Sequence, residues 1–243
     1  MSPLENLGVI LGLCAILSLL AFKLRLLTLS GSIASFVVGV VIGWCGSISW
    51  LILLVVFTLL GFAVTRYKIQ AKIAIGLQEG KRGERTYKNV LANSLVPATI
   101  AVVSWLAGTQ ADSTASLVYL AAISVAAADT TASELGILSP NAFLITSFER
   151  VKPGTDGGVS GLGTLAAAVA ATFASLLGWV ILLPSRPLDV FILIPLVMGF
   201  LGCMVDSLIG ATLERKKRVS KLGNNIISMA VGSVLALILI TLI

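Results

Sequence analysis

Apolar runs about twenty residues long recur along this chain between short polar connections, and each has the length an α-helix needs to cross a hydrocarbon core. The runs are centred near Leu13, Ser35, Phe57, Thr99, Ile123, Thr172, Met198 and Leu235. They predict an all-α, polytopic integral membrane helix bundle of eight spans, with seven as the alternative count. One connection departs from the pattern. In RYKIQAKIAIGL, Ile69, Ile73 and Leu77 recur every four residues with Lys68 and Lys72 beside them, which predicts a short amphipathic helix in the headgroup region. The expected organisation is one integral membrane domain over 1–243: three spans in 1–65, a basic loop at 66–88 and motif-bearing spans in 89–243.

Composition agrees with the pattern and excludes a soluble globule, since 57% of residues are hydrophobic and 12% charged, with a mean hydropathy of +1.04. Cys14, Cys45 and Cys203 stand singly in apolar segments, without CxxC spacing, and read as small buried hydrophobes rather than a disulfide framework or zinc site. The first twenty residues lack a basic leader and a small-residue cleavage site, so a retained first span is expected rather than a removed signal peptide. Every lysine and arginine except Arg186 lies in the connections after spans one, three, five and seven. The positive-inside rule then predicts that these loops face the cytoplasm and both termini face outward. Most of these cations read as anchors to anionic headgroups, so the net charge of +6 implies no nucleic-acid partner.

Against this background the acids stand out, because an ionisable group inside or beside a span is costly enough to need a reason. The phrases AADTTASELG, TDGGVSGLGT and MVDSLIGATLE place Asp129, Glu134, Asp156 and Asp206 at the same end of the spans as the basic loops. The chain has no histidine, so carboxylates, basic residues and glycine-rich backbone must carry any chemistry. Asp129 and Glu134 are about 140° apart on a regular helix and flank one site only if the helix distorts or ends between them. Several acids with nearby hydroxyls favour a hard cation such as magnesium; a single acid would equally serve as partner to an arginine.

Other segments extend the candidate site. QEGKRGERTYKNVLANS interleaves glycine with Glu79, Arg82 and Arg85, and arginine's planar fork suits phosphate oxygens. Asn89 and Asn93 share one face of span four, where they either bond a neighbouring helix or meet a ligand. Before span six, Gly157, Gly158, Gly161, Ser160 and Thr164 form a glycine-rich helix entry suited to an anion, or equally to close helix packing; the lysine of a P-loop is missing. In span seven, Gly199, Gly202, Asp206 and Gly210 form a stripe of close approach, with Ser207 and Glu214 on an adjacent strip. Asn224 and Asn225 open the last span, as helix caps or ligand contacts.

Together, EGKRGERTYKNVLANS, ADTTASELG, TDGGVSGLGTLAA, GFLGCMVDSLIGATLE and GNNIIS, in this order from about Glu79 to Ser228, resemble the family of domain of unknown function 92. That family includes transmembrane protein 19 and the plant and cyanobacterial phytyl-phosphate kinases. The resemblance implies transfer of the γ-phosphate of CTP to a membrane-embedded phytyl or geranylgeranyl monophosphate, giving the diphosphate used in tocopherol and related quinone synthesis. It implies a magnesium-dependent enzyme of a bacterial inner or thylakoid membrane, with its site on the cytoplasmic face; a homodimer is compatible with it. In that scheme Asp129, Asp156 and Asp206 hold magnesium, with Glu134 as a further ligand. Arg82 and Arg85 bind phosphate, Gly157, Gly158 and Gly161 supply backbone donors, and Glu79, Asn89, Asn93, Ser160, Thr164, Ser207, Asn224 and Asn225 orient substrate or nucleotide. Two alternatives use similar groups: a lipid-phosphate cytidylyltransferase and an ion or metabolite transporter.

Overall fold

The computed structural model describes residues 3–80 and 83–243. The chain runs through α1 (Pro3–Lys23), α2 (Leu29–Val41, continued by a π-turn over Ile42–Gly46), α3 (Ile48–Arg66), the short α4 (Ile69–Ala74), α5 (Tyr87–Leu106), α6 (Ser113–Gly136), α7 (Gly161–Leu182), α8 (Leu193–Ile209, continued by a π-turn over Gly210–Glu214) and α9 (Lys221–Leu242). Among the described residues, eight helical stretches are long and apolar enough to cross a membrane. The protein is an integral, multi-pass membrane helix bundle, and each expected span centre falls within one of the eight.

Hydroxyl side chains start many of the helices. Thr28 accepts from the Gly31 amide at 3.2 Å, Ser47 from that of Trp50 at 3.2 Å and Ser220 from that of Gly223 at 3.2 Å. Each satisfies an amide that the first helical turn leaves unpaired.

Helix α6 is the hub, with 83% of its span window buried against 22–44% for the others. Its alanine and serine content makes that position accessible, because small side chains let neighbouring backbones come close without lipid between them. Neighbouring glycines complete the fit. A Cβ at Gly199 would stand 2.8 Å from that of Ser124, and one at Gly202 would stand 2.5 Å from Val125. Tyr119 fixes α6 to α3 by stacking on Trp50 at 4.2 Å and donating to the Trp50 carbonyl at 2.8 Å. Apolar residues on the outer faces, such as Leu165, Val169 and Val180 of α7, remain exposed, as suits a lipid-facing surface.

The connections after α1, α3, α6 and α8 meet at one end of the bundle. The Arg85 amide donates to the Leu26 carbonyl at 2.9 Å, and the Thr28 amide to the Arg85 carbonyl at 3.0 Å, joining the first and third loops. Gly154 (φ +79) lies where a Cβ would strike Leu77, and Gly157 (φ +74) where one would strike Ala211. These contacts join the fifth loop to the third and to the end of α8.

Two local features differ from expectation. The fifth loop contains a small antiparallel sheet of β1 (Ala142–Leu144), β2 (Arg150–Val151) and β3 (Gly158–Val159) in the order β2-β1-β3, with Phe143 opposite both Arg150 and Val159. Turns beside these two- and three-residue runs let them pair as a sheet in an otherwise helical chain. The amphipathic helix exists only as the six residues of α4, and its inward face is the reverse of the expected one: Lys72 is fully buried while Ile73 is exposed. A buried countercharge on α6, described below, outweighs the apolar pattern.

Candidate functional site

A cavity of about 220 Å³ opens at the loop-rich end and is lined by Asp129 and Ser133 of α6, Asp156 through Ser160 of the fifth loop, Gly163 and Thr164 of α7, Asp206, Ser207, Gly210 and Glu214 of α8, Lys221 and Asn225 of α9, and Glu79 of the third loop. Four elements distant in sequence therefore contribute acids to one space. Asp129 and Asp206 lie near enough to interact directly across the α6–α8 contact. Asn225 Nδ2 donates to Asp129 Oδ2 at 3.1 Å, and Ser228 Oγ to Asp206 Oδ1 at 3.4 Å. Among the described residues, neither acid, nor Asp156, lies within 4.0 Å of a basic group. Asp156 is exposed on the loop, while Asp129 and Asp206 are partly covered.

The π-turn at the end of α8 shapes this wall. Its widened backbone is held from α9 by Asn224, whose Nδ2 donates both to the Asp206 carbonyl and to Glu214 Oε2 at 3.0 Å. Such π-turns redirect side chains at a cost in helix regularity, and here Glu214 is brought to the same cavity as Asp206. Asn224 is 1% exposed and is not the N-cap of α9; Ser220 is.

Among the glycines, Gly157 has a packing role: its positive φ and the closeness of Ala211 leave no room for a side chain. The Gly158 amide is used within its own turn, donating to the Thr155 carbonyl at 2.8 Å. Gly161 has open space around it and stands outside the cavity wall. A cradle of three glycine amides is thus absent. At the cavity instead is the start of α7, where Ser160 accepts from the Gly163 amide at 3.1 Å and donates to the Gly136 carbonyl at 3.2 Å.

Glu134 belongs to a different cluster. Because α6 stays helical through both acids, Asp129 and Glu134 point to separate partners, as the roughly 140° separation requires. Lys72 Nζ lies 2.6 Å from Glu134 Oε2, Thr65 Oγ1 donates to Oε1 at 2.7 Å, and Arg85 Nη2 is 3.9 Å away. Both oxygens are engaged, so the expected metal-ligand role gives way to that of a buried counter-ion, although the residue still forms part of the cavity wall.

Arg85, Asn89 and Asn93 do not line the acid cavity but a separate one of about 40 Å³ between α2, α3 and α5. Arg85 is 8% exposed and donates to Thr65 Oγ1 at 2.9 Å. Burial pulls its guanidinium down from its ordinary pKa, opposed by Glu134, Glu79 and Asp129. Asn89 completes a capping box with Thr86, accepting from the Thr86 amide at 2.9 Å, and donates to Glu79 Oε2 at 3.1 Å. Asn93 donates to the Asn89 carbonyl at 3.0 Å. Arg82 lies outside the described residues.

Lys221 and Lys72 had no place among the expected site residues. Nothing in the sequence separates Lys221 from its headgroup-anchoring neighbours, and Lys72 was hidden by the apolar period around it.

Among the described residues, no three acidic, cysteine or histidine side chains converge as a preformed metal site. Two facing carboxylates with hydroxyls beside them fit magnesium carried on phosphate, since that ion is commonly held by one or two carboxylates and completed by substrate oxygens and water.

Comparison with known proteins adds the following. The family model described as "Integral membrane protein DUF92" matches residues 12–234. An uncharacterized membrane protein of Methanocaldococcus jannaschii is 33% identical over 98% of this chain and 96% of its own length. Protein PGR of Arabidopsis thaliana is 33% identical over 81% of this chain and 76% of its own. The chloroplastic protein VTE6 of Arabidopsis thaliana is 26% identical over 88% of this chain and 65% of its own. No solved structure matches the chain.

Proposed function

The chain belongs to the DUF92 family of integral membrane proteins, and from that premise we propose that its acid-lined cavity transfers the γ-phosphoryl group of CTP to a prenyl monophosphate such as phytyl or geranylgeranyl monophosphate. The observation that carries this reading is the convergence of Asp129, Asp156 and Asp206, without ion-pair partners among the described residues, on one cavity at the end of a lipid-embedded bundle. The family resemblance and the similarity to VTE6 support the choice of acceptor.

Such a reaction needs positioning and charge neutralisation more than a base, because the acceptor phosphate is already an oxyanion. Its oxygen attacks the γ-phosphorus in line; the bond from that phosphorus to the β-bridging oxygen breaks, and CDP departs with the electron pair. No proton need move, so the absence of histidine is no handicap. Asp129 and Asp206 would hold magnesium on the nucleotide, where the ion neutralises phosphate charge. Asn225 fixes the orientation of the Asp129 carboxylate, and Ser228 does so for Asp206. The start of α7 presents its positive dipole end to the cavity, favourable for phosphate. The prenyl tail stays in the bilayer along the apolar outer faces of the helices, and the positive-inside rule supports a cytoplasmic face for the cavity, where CTP is available.

The test is an incubation of the purified protein with magnesium, CTP and phytyl or geranylgeranyl monophosphate. The expected products are the prenyl diphosphate and CDP. Pyrophosphate in place of CDP would assign cytidylyl transfer instead, and solute flux in proteoliposomes without nucleotide would assign transport.

A further inference from the structure

We propose, on the basis of the phosphoryl-transfer reading above, that Lys221 is a phosphate-binding residue of the cavity and that Glu79 occupies its place until phosphate arrives. Lys221 is the first residue of α9, where the helix dipole disfavours a cation, so its position calls for a compensating anion. Among the described residues it is the one lysine or arginine lining the cavity. Its neighbours in the basic run, Arg215 through Arg218, do not line it and suit headgroup anchoring.

The present partner of Lys221 is a carboxylate from another loop. Glu79 Oε1 stands 3.4 Å from Lys221 Nζ, with the lysine side chain 68% exposed and the glutamate 29%. An exposed pair of this length is weak and readily exchanged. The other oxygen of Glu79 accepts from Asn89, so the carboxylate spans from α5 to α9. Asp129 and Glu214 also act on Lys221 electrostatically. A phosphate oxygen entering between these acids, with its magnesium, would meet the ammonium where the Glu79 oxygen now lies. Lysine's compact charge on a flexible stem suits such an exchange. Release asks only for rotation of the partly exposed Glu79 side chain, since its backbone is held, with the Gly83 amide donating to the Glu79 carbonyl at 2.8 Å and Gly80 packed against Glu84.

The experiment measures equilibrium binding of Mg–CTP, and of magnesium tripolyphosphate as a base-free probe, to the full chain in detergent micelles. Lys221→Gln should weaken both by about 10- to 100-fold, the range for losing one charged hydrogen bond. Lys221→Arg should largely retain binding. Glu79→Gln should tighten binding by about two- to fivefold, as expected for loss of a weak competing pair. The Lys221→Gln/Glu79→Gln double variant should bind as weakly as Lys221→Gln alone.

Wild-type affinity in Lys221→Gln overturns the proposal. So does a gain from Glu79→Gln that persists without Lys221, since that gain would reflect cavity charge alone. If Lys221→Gln does not fold, failure of Glu79→Gln to tighten binding overturns it. Binding and turnover by the wild type with unchanged Lys221→Gln affinity removes only the Lys221 assignment; a wild type that binds neither probe removes the phosphoryl-transfer reading with it.

Discussion

Replacing Lys72 with methionine tests whether the third loop is clamped to the bundle by a buried charge. The Lys72 ammonium is fully buried and has three acceptors: Glu134 Oε2 at 2.6 Å, the Val64 carbonyl at 2.7 Å and the Thr65 carbonyl at 3.1 Å. The carbonyls belong to the last turn of α3, where no further helix exists to bond them, so the lysine both caps α3 and neutralises Glu134. Methionine keeps much of the stem but removes every donor. Glu134 would retain Thr65 at 2.7 Å and Arg85 at 3.9 Å, a poor substitute at that length. Removing one member of a buried pair costs about 3–5 kcal/mol. Glu134→Gln should cost less, because two of the three lysine acceptors remain. Lys72→Met/Glu134→Gln leaves no buried charge from the pair, so the costs should be non-additive by about 1–3 kcal/mol. Unfolding in mixed micelles titrated with SDS, followed by tryptophan fluorescence, supplies the three differences. A Lys72→Met variant within about 0.5 kcal/mol of wild type, the range of ordinary surface changes, would refute the clamp, as would purely additive losses.

Three further outcomes follow from the site. Asp206→Asn and Asp129→Asn should each lower prenyl diphosphate formation by about 100-fold or more, as for loss of a group that stabilises transition-state charge; near-full turnover by either removes its assigned role. Gly157→Ala should destabilise the protein by about 1–3 kcal/mol, because it strains a positive-φ residue and drives a methyl into Ala211, measurable as a lower melting temperature in micelles. Ser160→Ala should cost about 1 kcal/mol through the lost α7 cap, whereas Ser160→Asn should restore most of that stability.

What the sequence revealed and what it concealed have different physical causes. Span positions were legible because a hydrocarbon solvent imposes length and polarity on each helix, and those constraints are local. The acids at the ends of α6 and α8 were legible for the same reason: charge beside lipid is conspicuous. Partner choice was not. Glu134 looked like a companion of Asp129, yet five residues of regular helix turn it toward Lys72. Arg85 and Asn89 carried the chemistry expected of phosphate ligands but are occupied by Thr65 and by a capping box. Lys221 looked like one more anchor in a basic run. Apart from the local Thr86–Asn89 capping box, the decisive fact is which distant segment lies within 4 Å, and sequence spacing contains none of it. The small sheet escaped notice because its two- and three-residue strands are too short to show a period.

These pairings also bear on how the site can move. Two of the side-chain contacts that fasten the third loop are of unlike strength. Lys72 joins it to Glu134 on α6 in a buried contact; Glu79 joins it to Lys221 on α9 through an exposed pair at 3.4 Å. Since α6 also carries Asp129, the buried fastening holds the base of the loop in fixed relation to one wall of the cavity. The exposed fastening can exchange for phosphate without disturbing it. Motion on ligand entry should therefore start at the Glu79 side chain and leave α4 in place. A loop tied loosely at both points would let the acids drift; one tied tightly at both would close the cavity to its substrate.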